Sequence, residues 1–336
     1  MRARTRRMSG FTLIELMIGL MLGLMVTSAA IGIFISNSNI HRATESLGRI
    51  QENARVAFEL MARDIREGGG NLCSRNLPIA NVLNNAGTDW WASAPAIRGY
   101  GGTQAFPDRP FGTAAGQRVA GTGAIEIVSS GTVSVTIDDH APTNANLQVN
   151  TPDHGLTPGD ILIACDQRQA TIFQMTGPGQ AGVGVHNHTI VHNRGGAFVP
   201  GNCTQNLGFD PTNRCPSQGQ ADHTYAPNSQ LARLRAVRWY VGHNGRGGHS
   251  LYQIALRNNG LHVEEVAEGI TNLDFMFLPV GGAAYVAPAA VADWSQVVAV
   301  QVAVTLQGGI AERVGTDGAA LQRQFAHVVT LRNRLP

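Results

Sequence analysis

The sequence predicts an α+β fold, one very long N-terminal helix followed by a mainly antiparallel β domain. Three observations predict it. Residues 11–35 form an apolar run with one ionisable residue, Glu15. Residues 36–67 continue with apolar positions at helical spacing. Beyond residue 70 the helical pattern fades, and short β-rich runs alternate with turn residues.

Composition agrees with this reading. Of 336 residues, 43% are hydrophobic and 14% charged, which allows a large core and excludes a charge-driven disordered chain. The 40 glycines point to many turns rather than a helical bundle. Every one of the 25 basic residues is Arg, so chemistry that needs a P-loop or Schiff-base lysine is excluded. Beyond residue 67, 16 Arg stand against 17 Asp plus Glu. That near-neutral balance gives no general affinity for nucleic acid.

The first element is a membrane helix. A helix over the 25 residues 11–35 is roughly 37 Å long, enough to cross a bilayer core of about 30 Å. Arg2, Arg4, Arg6 and Arg7 precede it, which places the N-terminus in the cytoplasm and the remainder across the membrane. The apolar run is longer than the 7–15 residues, roughly, of a cleaved secretory signal. A carboxylate such as Glu15 costs about 2.5–3.5 kcal/mol at mid-bilayer and less near the edge, so it is either interfacial or kept for a partner.

The helix continues past the membrane. Ile40, Leu47, Ile50, Ala54, Ala57, Phe58, Met61 and Ile65 recur at spacings that from Leu47 onward give an amphipathic face for a globular head. Gly68-Gly69-Gly70 ends it, and Ser36-Asn37-Ser38 and Gly48 are points of weakness. Helix over the 57 residues 11–67 is on the order of 85 Å long.

Strands are expected at 124–128 and 132–137, joined as a hairpin through Ser129-Ser130-Gly131, and at 161–164, 170–175, 234–241, 251–256, 273–278, 297–306 and 325–331. Residues 263–268 read as a short helical turn. Long loops are expected at 74–120, 138–158 and 177–230.

Candidate chemistry in the head is thin. His186, His188 and His192 would share one strand face, but no nearby acid or thiol completes a metal set, and an exposed polar face is the better reading. No glycine-rich segment sits in a strand–helix unit, and no G-x-S-x-G elbow is present. No enzyme, cofactor or metal site is therefore expected. Arg233, Arg235 and Arg238, next to Trp239 and Tyr240, form the densest basic cluster. A solvated strand face explains them better than a nucleic-acid surface.

Cys73, Cys165, Cys203 and Cys215 contain no CxxC pair, and an even count in an exported segment favours two disulfides. Sequence leaves three pairings open. Cys203–Cys215 is expected as a short local loop, and Cys73–Cys165 as a pin between the helix end and a strand.

Ser9-Gly10-Phe11-Thr12-Leu13-Ile14-Glu15-Leu16-Met17 resembles the prepilin motif of type IV pilins and type II secretion pseudopilins. The resemblance implies a pilin-like fold, cleavage after Gly10 by the prepilin peptidase, N-methylation of Phe11, and pairing of Glu15 with a neighbouring subunit's N-terminal amine. Downstream, Ala62-Arg63-Asp64-Ile65-Arg66-Glu67-Gly68-Gly69, then Cys73, is similar to minor pilins of the PilW family. So are Gly159-Asp160-Ile161-Leu162-Ile163, Val237-Arg238-Trp239-Tyr240-Val241 and the closing Leu331-Arg332-Asn333-Arg334.

The resulting expectation is a leader at 1–10, a transmembrane helix at 11–35, its amphipathic continuation at 36–70 and a periplasmic β-rich domain at 71–336. The resemblance implies a minor pilin of the inner membrane, and later of the pilus surface, acting in the tip or initiation complex. Its partners would be other minor pilins, the major pilin, the prepilin peptidase and the inner-membrane assembly machinery, with no specific nucleic acid. The rival readings are a type II secretion minor pseudopilin and a tip receptor or adhesin using the 177–230 loops.

Overall fold

The computed structural model describes residues 11–68, 73, 77–84, 86, 88–93, 96–179, 183–184, 186–195, 198–209, 222–257, 260–308 and 320–334. The chain divides into two units, Met1–Ile50 with Gly308–Leu321, and Gln51–Gln307 with Gln322–Pro336. Helix α1, Leu13–Glu67, begins in the first unit and ends in the second. It runs through Ser36-Asn37-Ser38 and Gly48 without a break, so flanking good helix formers outweigh those weak positions. An 18-residue window of it is long and apolar enough to cross a membrane, and none of that window is buried.

Within the second unit the last turns of α1 bury Ala54, Ala57, Met61 and Ile65 of the stripe that the 3–4 spacing predicts, leave Phe58 half-buried, and also bury Ala62 and Asp64. The helix stops at Glu67, and the Gly68 N–H donates to the Ile65 carbonyl.

Next come β1 (Ile79–Asn81), the single-turn α2 (Trp90–Ser93), β2 (Ile97–Tyr100), β3 (Ala124–Ala141), β4 (Asn146–Val149), β5 (Ile161–Cys165), β6 (Ala170–Gln174) and β7 (Thr189–Val191). Then follow β8 (Ser229–His243), β9 (His249–Arg257), β10 (Gly260–Glu268), β11 (Ile270–Pro279), β12 (Val297–Gln307) and β13 (Gln322–Thr330).

The long strands β3 and β8 pair antiparallel and form the spine of a ten-stranded sheet. The other edge of β8 pairs first with β5 and then with β9. The other edge of β3 pairs with β2 and then with β4. One pair in this sheet, β1 with β6, is parallel. Strands β11, β12 and β13 make a second, antiparallel sheet in that order. The α+β architecture, a long apolar helix followed by a mainly antiparallel β domain, is the one the sequence predicts.

Several local expectations are corrected. The expected hairpin at 129–131 is one continuous strand, β3, whose register against β8 slips between Ser130 and Ser134. Gly131 serves that slip: a Cβ there would lie 2.9 Å from the Arg233 carbonyl oxygen, so glycine permits close backbone approach and not a turn. The expected turn at 263–268 is β10, where pairing with β9 overrides the local preference of its charged residues. The three long loops hold elements of their own: β1, α2 and β2 in the first, β4 in the second and β7 in the third. Residues 101–123 are organised by the buried Arg118, which donates to the carbonyls of Gly101, Gln104 and Thr122. Burial pushes its guanidinium down to about 10.

Candidate functional site

The start of α1 is built by three polar contacts between two residues. The Glu15 N–H donates to the Thr12 hydroxyl at 3.3 Å. The Thr12 N–H and hydroxyl both donate to Glu15 Oε2, at 3.4 and 3.3 Å. Thr12 is thus the N-cap and Glu15 the third helical residue, a reciprocal capping box. Its sequence signal is Thr-x-x-Glu ahead of an apolar run, which the reading of Glu15 as an isolated charge passes over. A carboxylate at this place also meets the positive end of the helix dipole. Phe11 is exposed before the helix, and Gly10 lies outside the described residues.

In the second unit, α1 is held to the sheet by Asp64. Its Oδ1 accepts from Arg235 Nε and Nη2 at 3.1 and 2.7 Å. Its Oδ2 accepts from Trp239 Nε1 at 2.9 Å and Gln253 Nε2 at 3.2 Å. Asp64 is 2% exposed, and its donors come from β8 and β9. The four bonds supply the compensation that a buried carboxylate requires.

The disulfide Cys73–Cys165 ties the segment after α1 to the end of β5, with Cα atoms 6.0 Å apart. Cys203 is disulfide-bonded. Cys215 lies outside the described residues.

Residues 5–31 match the family of the prokaryotic N-terminal methylation motif. The match ends within the exposed apolar part of α1, so motif and helix are one continuous feature. The N-terminal segment is prepilin-like. No curated protein and no solved structure matches it. The motif therefore supports a type IV pilin-like protein that engages the prepilin peptidase and assembly components and is anchored to a membrane by its apolar helix.

The arginine cluster of the head departs in part from the solvated face expected: Arg233 and Arg235 are partly exposed but ion-paired, and Arg238 is buried. Arg233 donates from Nη2 to the Gly155 carbonyl and to Asp160, both at 2.7 Å. Arg235 is committed to Asp64. Arg238 is fully buried, donating to Glu126 at 2.6 Å and to both oxygens of Asp108 at 2.6 and 2.9 Å. Its guanidinium lies 4.3 Å from the Trp90 ring centre and 4.4 Å from that of Phe106. Arg238 and Glu126 are direct cross-strand partners on β8 and β3. Burial pushes the Glu126 carboxyl above its ordinary range, against the pull of Arg238. All three cations are paired with carboxylates of the fold, Arg238 wholly buried and Arg233 and Arg235 partly exposed.

The histidines also separate. His186 lies before β7 and pairs with exposed Asp153. His188 bonds through Nδ1 to the Val149 carbonyl at 2.8 Å. His192 is wholly buried and faces His140, Nε2 to Nε2, at 3.3 Å. The three share no common face, because β7 spans only Thr189–Val191. The Tyr225 N–H donates to His140 Nδ1 at 3.1 Å, so the neutral His140 ring carries its proton on Nε2 and donates to His192. A metal at His140 Nε2 would move that proton to Nδ1, against the Tyr225 N–H. The pair is built as a hydrogen bond and not as a ligand set. Among the described residues no three His, Cys, Asp or Glu are grouped to hold a metal.

Proposed function

We propose that this chain is a minor pilin of the PilW kind that enters a type IV pilus at or near its tip. The observation that carries the reading is the N-terminal methylation motif running directly into a helix whose apolar window is entirely exposed. Such a surface needs lipid or like helices around it. In this reading residues 1–10 are a leader, removed after Gly10, and Phe11 becomes an N-methylated terminus. Residues 11–35 span the inner membrane with the N-terminus cytoplasmic, 36–70 continue the helix, and 71–336 lie in the periplasm. That compartment permits the second disulfide, Cys203–Cys215. The function is assembly and not catalysis: the helix leaves lipid for a bundle of helices, and the head meets other minor pilins.

The test combines processing and destination. Gly10→Val should leave the leader attached, read as intact precursor by mass spectrometry of the membrane fraction. Wild-type protein should co-purify with sheared surface pili. An N-methyl-Phe11 terminus in the Gly10→Val variant overturns the processing step. Wild-type protein absent from pili, with a secretion defect in the deletion strain, replaces this reading by the pseudopilin one.

A further inference from the structure

We infer that His243 and His249, which face each other across the β8–β9 hairpin, form a binding site for one divalent transition-metal ion, with water completing its coordination. The two residues are direct cross-strand partners. Their ring centres lie 4.9 Å apart, with the ring planes at 80° to one another. Two imidazoles that share one ion, each at a metal–nitrogen distance of about 2.0–2.1 Å, have ring centres roughly 4.5–5.2 Å apart for angles between square-planar and tetrahedral. The separation in this hairpin falls inside that range, so binding asks for rotation of the rings and no movement of the strands.

The backbone holds the pair at this spacing. The His243 N–H donates to the Gln117 carbonyl at 3.0 Å, and the His243 carbonyl accepts from the Gly116 N–H at 2.8 Å. The His249 carbonyl accepts from the Gly269 N–H at 3.0 Å. These bonds point away from the partner strand. Positions 243 and 249 are therefore a non-hydrogen-bonded pair, the kind that brings opposed side chains closest. Asn244 fixes the joining turn. Its N–H donates to the Gly248 carbonyl at 3.1 Å, and its side-chain oxygen accepts from the N–H groups of Arg246 and Gly248 at 2.9 and 3.0 Å. The cation of the turn, Arg246, is directed onto Glu265 and Glu268, which compensate its charge. Ligands carried on pinned strands lose little freedom when an ion binds.

The ring nitrogens are free for this role. Among the described residues no group hydrogen-bonds to either imidazole. His140 and His192, by contrast, spend ring nitrogens on each other and on the Tyr225 N–H. Each ring of the hairpin pair can thus turn a lone pair to the ion from whichever nitrogen faces it. Both residues are half-buried, which leaves the ion a solvent-facing side for its waters. Among the described residues no third His, Cys, Asp or Glu joins them, so water supplies the remaining positions. Imidazole suits Cu²⁺, Zn²⁺ and Ni²⁺, and the general affinity order for divalent ions puts Cu²⁺ first.

Calorimetric titration of the full chain in detergent with Cu²⁺, followed by pulsed electron paramagnetic resonance of the loaded protein, tests the site. The expected result is a saturable site whose spectrum shows two imidazoles on one ion. His243→Gln and His249→Gln should each weaken that site by about tenfold or more and remove the two-imidazole signature, with the circular dichroism and melting of the metal-free chain unchanged. His186→Gln, which alters an exposed histidine elsewhere, should behave as wild type. Zn²⁺ gives a second reading: it should raise the melting midpoint of the wild type and not of the two hairpin variants, because it binds the paired strands and not the separated ones. Absence of a two-imidazole Cu²⁺ spectrum from the wild type overturns the inference. So does a spectrum that survives both hairpin variants, or a Zn²⁺ shift equal in all three proteins, either of which would leave the two rings as a packing contact alone.

Discussion

The carboxylate of Glu15 accepts both the N–H and the hydroxyl of Thr12, so within a single chain it is already engaged at the first turn of α1. Glu15 therefore has two separable roles, a cap within its own helix and the proposed partner for a neighbouring N-terminal amine. Glu15→Ala removes both. It should leave membrane insertion near normal, because it takes a charge out of an apolar run, and should sharply reduce incorporation into pili. Thr12→Ala removes the hydroxyl but leaves the carboxylate, costing about 1 kcal/mol of local helix stability. It should assemble far better than Glu15→Ala. Immunoblots of the membrane fraction and of sheared pili decide it, and equal defects in the two variants would assign Glu15 to capping alone.

Asp64 holds the last turns of α1 to β8 and β9 through four hydrogen bonds. Asp64→Ala should destabilise the head by on the order of 3 kcal/mol, because it strands the buried Trp239 and Gln253 donors as well as losing the ion pair. Arg235→Ala should cost less, since Trp239 and Gln253 keep their bonds to Oδ2 and the partly exposed site that Arg235 vacates lets water reach Oδ1. Denaturant unfolding of the full chain in detergent, followed by tryptophan fluorescence, gives both values. Equal losses would mean that the Arg235 bonds alone hold the junction.

The helix was legible because its information is local. Ala54, Ala57, Met61 and Ile65 recur within one segment, and burial follows that period. The partners of Asp64 lie 171, 175 and 189 residues away, and no local pattern in the head announces them. The same distance hid the arginines: Arg238 looks solvated beside Arg235 until Glu126 is placed opposite it, 112 residues earlier. His192 was grouped with its sequence neighbours His186 and His188, while its actual partner, His140, is 52 residues away. Gly131 reads as a turn residue because glycine's use at a close backbone approach leaves the same letter in the sequence. At the N-terminus the methylation motif was legible from its own residues, but the capping role of Thr12 needed the helix boundary to be known.

The buried Arg238–Glu126 pair should be harder to break than to replace. Glu126→Gln leaves a fully buried guanidinium with only the half-exposed Asp108, and should cost roughly 3–5 kcal/mol. Arg238→Met with Glu126→Gln removes both charges and should recover part of that loss. A double-mutant cycle on denaturant midpoints measures the coupling, and strict additivity of the two changes would show that the pair contributes nothing as a pair.

Non-reducing peptide mapping should recover one cross-linked peptide joining Cys73 to Cys165 and a second joining Cys203 to Cys215. Reducing the first removes a closure over 92 residues of chain, for which loop-entropy arguments give on the order of 4 kcal/mol. Serine at both Cys73 and Cys165 should therefore lower the denaturation midpoint clearly. Crossed pairs in the peptide map would refute the second bridge.

The facing histidines set a direction for acid sensitivity. Burial pushes His140 down to about 4 and His192 to about 3, and a charged His140 also lowers His192. Asp222 and Asp139 pull His140 the opposite way, and His223 adds to the depression. Protonation would set an N–H against an N–H across a 3.3 Å gap. An unfolded histidine titrates near 6.5, so between about pH 6.5 and 3 the unfolded chain binds more protons than the folded one. Stability from this pair is thus fully present above 6.5, falls as the pH falls through that window, and stops falling once both folded rings are charged. The coupled pair should account for roughly 3–6 kcal/mol of acid destabilisation. His192→Gln keeps an acceptor for the His140 Nε2–H but cannot titrate in this range. Denaturant midpoints measured from pH 7.5 to 3.5 should fall less steeply in His192→Gln than in the wild type, and His140→Gln should flatten the curve in the same way. The comparison cancels the carboxylates that both proteins share. Parallel curves would mean that the pair takes up its protons without opposing the fold, and would remove it as the source of acid sensitivity.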